Sequence, residues 1–333
     1  ASASFADKNV AYSNGAVTTK TVTLLASSLG LSGTKAGNYA IVDNTTLSAK
    51  INPRAVTVSG IAANDKVYDA TTNATVSTAN AALTGKVAGD DLNVSATGVF
   101  VSKNVDAARV VNLTSTYTGA DLANYAITDQ ATTTAAITPK ALTVSGFIVN
   151  NRVYDGGLVA GIDATNVMLA GLISGDVVTA SATGAFATKD VGTAKVVTLT
   201  STYGGADKDN YAITNQATST ANITPKALTI SGITAADKTY DNTHAATVSV
   251  SGVVKTGLVL NDVVDVAATG VFSDENAANG KTVTLTSTYS GADVNNYTIT
   301  SQATTSASIT PLDVELPATA GLTQVYDATT LVA

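Results

Sequence analysis

The sequence predicts an all-β protein, a tandem array of immunoglobulin-like β-sandwich repeats of 86 residues forming an extended rod. Its landmarks recur at one interval: Pro53, Pro139, Pro225 and Pro311, the pairs Tyr68-Asp69, Tyr154-Asp155, Tyr240-Asp241 and Tyr326-Asp327, and Tyr39, Tyr125, Tyr211 and Tyr297, each after an Asn. Apolar and polar residues alternate in short runs closed by Gly, Asn or Asp, the pattern of half-buried strands. No window sustains a helical period. A unit copied head to tail without insertion is the mark of a repeat architecture.

The period divides the 333 residues into a partial repeat, 1–52, three complete repeats, 53–138, 139–224 and 225–310, and the first strands of another, 311–333. The chain starts near the equivalent of Ala96 and stops early in a repeat, which reads as a window on a longer polypeptide. In 1–52, Phe5 to Val10 resembles Phe100 to Val105, but about nine extra residues precede Asn38-Tyr39, so a longer hairpin is expected there.

Within 139–224, Leu142 and Val144 alternate with Thr143 and Ser145 before Gly146, a half-buried strand closed by a turn. A second strand ends at Val153-Tyr154-Asp155. Asn166 to Ala170 is a weaker candidate, followed by a turn at Ser174-Gly175-Asp176. The clearest strand places Val178, Ala180, Ala182, Gly184 and Phe186 on one face. The next puts Val197, Leu199, Ser201 and Tyr203 opposite a Thr-rich face. Asn210 to Ile213 and Ala217 to Ile223 complete about seven strands, read as antiparallel, with one core to each repeat. A parallel β-helix would need a repeat of roughly 20–30 residues, which is not seen.

At the joint, Ala135-Ala136-Ile137-Thr138-Pro139-Lys140-Ala141-Leu142 runs strand into strand with no glycine. Proline fixes its own φ and holds the preceding residue extended, so Pro53, Pro139, Pro225 and Pro311 are expected to stiffen the joints.

Composition excludes several function classes. Charged residues are 13% and the 18 Lys and Arg are scattered, which does not suit a nucleic-acid partner. No apolar run approaches the roughly 20 residues of a membrane-spanning helix. There is no Cys, and His244 is the only histidine, so no thiol or histidine-based catalytic site can recur along the array. No enzyme activity and no cofactor are expected.

The motif Asp65-Lys66-Val67-Tyr68-Asp69-Ala70-Thr71-Thr72, echoed at Asp237 to Thr243, resembles the signature of the bacterial YDG repeat domain. So do Gly175-Asp176, Thr183 to Phe186 and Gly205 to Tyr211, while Ile-Thr-Pro-Lys-Ala-Leu-Thr resembles the boundary with the related MBG repeats. The glycine of the motif appears only as Gly156, with Ala70, Asn242 and Ala328 elsewhere, and the preceding Lys becomes Arg152 and Gln324. The resemblance implies large secreted or surface-attached proteins of the filamentous-haemagglutinin and adhesin type. It thus implies a bacterial extracellular or cell-surface setting, and a stalk, fibre or biofilm-matrix role.

Each Tyr-Asp pair is expected to bury its ring at a strand end, give its hydroxyl to the backbone and cap a turn through the Asp. Asp121, Asp207, Asp209 and Asp293, in the Gly-Ala-Asp-x-x-Asn-Tyr loops, are candidate calcium ligands, with turn formation as the default because calcium takes about six to eight oxygens. Intramolecular Lys-Asn bonds would need one Lys per repeat. The series Lys66/Arg152/Lys238, Lys103/Lys189/Glu275 and Arg109/Lys195/Lys281 all break that rule.

The expected function is therefore a stiff, non-catalytic spacer whose partners are neighbouring repeats and other copies in a fibre or bundle. One alternative is a multivalent carbohydrate-binding array recognising surface glycans. Another is a filament subunit completed by strand addition between unfinished end repeats.

Overall fold

The computed structural model describes residues 2–24, 29–41 and 47–316, and these form strands joined by turns and single-turn 3-10 helices. The all-β tandem array is present. In 53–138, Arg54–Ser59 lies at the centre of a three-stranded sheet, antiparallel to Ala82–Thr84 and parallel to Tyr125–Thr128. A five-stranded sheet follows in the order Lys66–Val67, Thr132–Thr138, Asp106–Thr118, Asn93–Phe100 and Asn73–Ala74. Ala62–Ala63 pairs with Val76–Ser77 as a separate ribbon.

The same sheets recur in 139–224 around Lys140–Ser145 and Gly192–Gly204, and in 225–310 around Lys226–Ser231 and Ala278–Ser290. In 1–52, Ala3–Phe5, Lys20–Leu24 and Leu47–Ala49 form a three-stranded sheet. The longer hairpin there pairs Tyr12–Ser13 with Ala16–Val17 around Asn14 and Gly15, both at positive φ, the conformation a two-residue hairpin loop requires.

The alternation sets the faces. Val56 and Val58 are buried while Ala55, Thr57 and Ser59 are exposed, and Leu142/Val144 and Leu228/Ile230 repeat this. Along Asn93–Phe100 the more buried residues are Val94, Ala96, Gly98 and Phe100. Gln130 clips Ile61, accepting from its N–H (2.9 Å) and donating to its carbonyl (2.8 Å). Gln216 with Phe147 and Gln302 with Ile233 do the same.

Two expectations change. The strands are not all antiparallel: the first strand of each complete repeat pairs in parallel with the strand after the 3-10 turn, and the Tyr-Asp strand pairs in parallel with the last one (Ile137↔Lys66). Nor does each repeat hold its own core. Tyr68, Phe100, Val111, Ala135 and Ile137, from 53–138, form one buried cluster with Leu142, Val178 and Tyr211 from 139–224. A five-stranded sheet buries its inner face against the three-stranded sheet of the repeat that follows. The packed pair of sheets resembles an immunoglobulin-like sandwich in architecture, built from two repeats.

By compactness the chain divides into two units: Ala1–Ser145 with Met168–Ala180 and Tyr203–Asn215, and Gly146–Val167 with Ser181–Thr202 and Gln216–Ala333. The joint at Pro139 lies inside the first. Pro139 is the single residue between Thr132–Thr138 and Lys140–Ser145.

Candidate functional site

The residues that recur along the sequence meet at the joints. The Tyr-Asp motif is built first, by local chemistry. The Asp69 carboxylate accepts from the Thr71 N–H (2.9 Å), the Thr71 hydroxyl (2.9 Å) and Lys66 Nζ (2.7 Å), an Asx-type turn. Lys66 also donates to the carbonyls of Thr71 and Asn73, and its Nζ stands 5.3 Å from the Phe100 ring centroid. Arg152 and Lys238 lie over Phe186 and Phe272 in the same way.

The residue after the Asp is left-handed in each repeat, with φ 62° at Ala70, 78° at Gly156 and 61° at Asn242. Only at Gly156 is the space also closed, because a Cβ there would stand 2.8 Å from Val259 Cγ1.

The turn delivers the tyrosine to the joint. The Tyr68 N–H donates to the Thr138 carbonyl (2.9 Å), and its ring, 1% exposed, packs edge-on against Tyr211 of the next repeat with centroids 5.6 Å apart. Tyr154 and Tyr297 repeat the contact at 5.6 Å. Contrary to expectation, the tyrosine hydroxyls do not go to the backbone: Tyr154 donates to Asp262 (2.8 Å) and Tyr240 to Asn242 (3.1 Å), while the buried Tyr68 hydroxyl has no partner within hydrogen-bond distance.

At three joints a lysine of one repeat is held between two carboxylates of the next. Lys103 Nζ lies 3.1 Å from both Asp176 and Asp207. Lys189 lies 2.9 Å from Asp262 and 2.7 Å from Asp293. Lys8 lies 2.8 Å from Asp90 and 3.2 Å from Asp121.

Each carboxylate also has a partner within its own repeat. Tyr211 and Tyr297 donate to Asp176 (2.6 Å) and Asp262 (2.5 Å), and Asp207 and Asp293 accept from the N–H groups of Val177 and Val263. The Asn before each of those tyrosines accepts from the preceding repeat's backbone: Asn210 from Val105 (2.9 Å), Asn296 from Val191 (2.9 Å) and Asn124 from Val10 (2.8 Å). The close approach that shapes this loop excludes side chains at Gly205, where φ is +102° and a Cβ would stand 2.2 Å from the Val177 carbonyl oxygen.

The electrostatics keep the clamp ionised. Burial would raise the Asp262 carboxyl, but the Tyr297 hydroxyl, Lys189 and Tyr154 bring it below the ordinary 3.8. Asp293 first and Asp262 second raise Lys189 above its ordinary value. Burial, then the neighbouring carboxylate, pushes the Tyr211 and Tyr297 hydroxyls up to about 12. Condensing amine and acid to an amide needs both neutral, the forms these pairs disfavour.

The positive charge beside Asp121, Asp207 and Asp293 is thus a lysine ammonium, whereas Asp209 faces solvent beside Lys208. Among the described residues no three of His, Cys, Asp and Glu gather into a metal-binding group. Sequence reasoning named the tyrosines and the loop aspartates but not Lys103, Lys189, Asp176 and Asp262 as their partners. Their common step of 86 residues was the available signal. Tyr326 and Asp327 lie outside the described residues. At the position of Lys103 and Lys189 the last repeat carries Glu275, which pairs with His244 at 2.7 Å.

The YDG domain matches this chain three times, over residues 52–135, 138–220 and 224–306. A solved structure, the crystal structure of Drosophila N-cadherin EC1-4, is similar at 8% sequence identity over 81% of this chain and 81% of that chain, with a TM-score of 0.26. No curated protein matches.

Proposed function

The chain belongs to the YDG-domain family, and from that premise we propose that it is a stiff, non-catalytic stalk or fibre-forming segment of a bacterial extracellular adhesin or matrix protein. The observation that carries this reading is the clamp itself. Lysine, two aspartates, asparagine and tyrosine meet in the same arrangement at three joints. A flexible tether needs no such contact. Continuity of core and ion pairs across the joint supports the reading of a stiff connection between neighbouring repeats.

The parallel pairing suits a load-bearing element. Lys140–Ser145 enters its repeat alongside Tyr211–Thr214, paired from Lys140↔Tyr211 to Thr143↔Thr214. Tension on the joint shears these rungs together instead of opening them one at a time. Each large apolar side chain shared across the joint contributes about 1.5–3 kcal/mol, against about 0–1 kcal/mol for an exposed ion pair.

Small-angle scattering tests the reading. The parent should give the profile of an extended particle, and Lys103→Ala with Lys189→Ala should shorten and broaden its distance distribution. A parent profile of a compact or freely jointed particle contradicts it.

A further inference from the structure

We propose that the joint between 139–224 and 225–310 carries a binding site for a neutral saccharide. A cavity of about 480 Å3 opens there, with Asp155, Gly156 and Gly157 of the Tyr-Asp turn on one side and Leu260 and Asn261 of the facing loop on the other. Its volume falls among those of small-molecule pockets, about 300–1,000 Å3. Both repeats that form it are complete.

Four departures from the repeat meet at this cavity. After the motif Asp, 53–138 has Ala70-Thr71 and 225–310 has Asn242-Thr243, whereas 139–224 has Gly156-Gly157. In the facing loop, Ala88-Gly89 and Ser174-Gly175 of the earlier repeats become Leu260-Asn261. Gly89 and Gly175 have φ 87° and 95°, and Asn261 keeps the left-handed conformation at 71°, which glycine adopts freely and asparagine only at some cost. The Asn261 side chain is exposed and has no hydrogen-bond partner among the described residues. Leu260 is 86% exposed. Neither side chain holds the joint together; both face what enters the cavity.

The ligand class follows from what these changes leave open. In the flanking repeats a threonine hydroxyl donates to the motif carboxylate, Thr71 to Asp69 and Thr243 to Asp241, both at 2.9 Å. Gly157 has no hydroxyl, so Asp155 accepts only from the Gly157 N–H and from Arg152, each at 2.8 Å. A ligand hydroxyl takes the place of the threonine's. The Asn261 amide offers one acceptor and two donors to further hydroxyls, and Leu260 gives an aliphatic wall for the C–H face of a pyranose ring. The charges at the cavity are already matched, Asp155 with Arg152 and Lys189 with Asp262 and Asp293. An ionised ligand finds no free counter-charge and gives up its hydration for nothing, which favours a neutral polyol. Because Thr71 and Thr243 fill the equivalent place in the flanking repeats, the site belongs to this joint and not to every repeat.

The test uses the full chain and two variants that restore the residues of the neighbouring repeats, Gly157→Thr and Asn261→Gly. Both are compatible with the fold: a Cβ at Gly157 meets nothing nearer than Asp155 Oδ1 at 3.4 Å, and a glycine at 261 relieves a left-handed φ. Methyl α-glucoside, methyl β-galactoside and N-acetylglucosamine are titrated by saturation-transfer NMR, with glucuronate as the charged comparison. The expected result is saturable binding of at least one neutral sugar in about the millimolar range, weakened about tenfold in each variant, with the urea midpoint unchanged or higher. Absence of saturable binding by any of the neutral sugars, equal binding by Gly157→Thr and the parent, or tighter binding of glucuronate overturns the proposal. These outcomes are independent of the stalk reading, which is judged on the scattering profile of the chain without ligand.

Discussion

Tyr154 meets Tyr297 edge to face, with ring centroids 5.6 Å apart at 78°, and both hydroxyls donate to the same carboxylate oxygen of Asp262. One tyrosine comes from the Tyr-Asp motif of 139–224 and the other from the Asn-Tyr motif of 225–310. The two most regular motifs of the sequence are therefore the two halves of one contact.

Removing the lysine should expose what that contact costs to assemble. The Asp262 side chain is 3% exposed against 36% for Lys189, so Lys189→Ala leaves a buried carboxylate held only by tyrosines. A loss of about 1–3 kcal/mol is expected in urea denaturation. Lys208→Ala, at an exposed pair, should stay within about 0.5 kcal/mol of the parent.

Position three of the Tyr-Asp-Gly motif should respond oppositely in different repeats. Gly156→Ala meets both a left-handed φ and Val259, and should lose about 1–2 kcal/mol or more. Ala70→Gly relieves a strained φ at the entropic cost of a glycine, so it should be neutral to stabilising by up to about 1 kcal/mol. Chemical denaturation of both variants measures the difference in sign.

Stability should fall at both ends of the pH scale. Asp262 and Asp293 have folded values below 3.8. Their contribution is present above the unfolded value and is lost as pH drops below it through the folded one. Tyr211 and Tyr297 are raised from 10.0 to about 12. Their contribution is complete below 10.0 and is lost as pH rises towards about 12, because the unfolded chain ionises first. Thermal melts across pH should show a plateau between these windows, with the alkaline limb reduced in Tyr297→Phe.

The strand faces could be read from the sequence because alternation reports directly which side of a strand is buried. Val56/Val58, Leu142/Val144 and the Phe100 face were all recoverable in this way. Alternation does not say what covers a face. Lys103 and Asp176 lie 73 residues apart and Val105 and Asn210 lie 105 apart, so no local pattern links them. The repeat boundary suggested by Pro139 also concealed that the core crosses it. The loop aspartates were visible as oxygen ligands, but the lysines of the preceding repeat that lie beside Asp121, Asp207 and Asp293 were not. Gln130, which clips Ile61, gives no signal beyond its recurrence as Gln216 and Gln302.

Coupling between repeats should be measurable pairwise. A double-mutant cycle with Tyr154→Leu and Tyr297→Leu should give an interaction energy of about 0.5–1.5 kcal/mol. The pair Tyr154 and Tyr211, which belong to one repeat but to different joints, should be additive.

The most direct test of a core shared across the joint compares repeat 139–224 alone with the tandem 139–310 in urea denaturation. In the tandem, the sheet bearing Tyr154, Phe186 and Val197 is covered by the strands of 225–310. In the single repeat that sheet has no cover, so a loss of several kcal/mol, about that of two or three buried side chains, is expected, with the Tyr154 ring exposed to solvent. An isolated repeat that unfolds at the same denaturant concentration as the tandem would contradict the account.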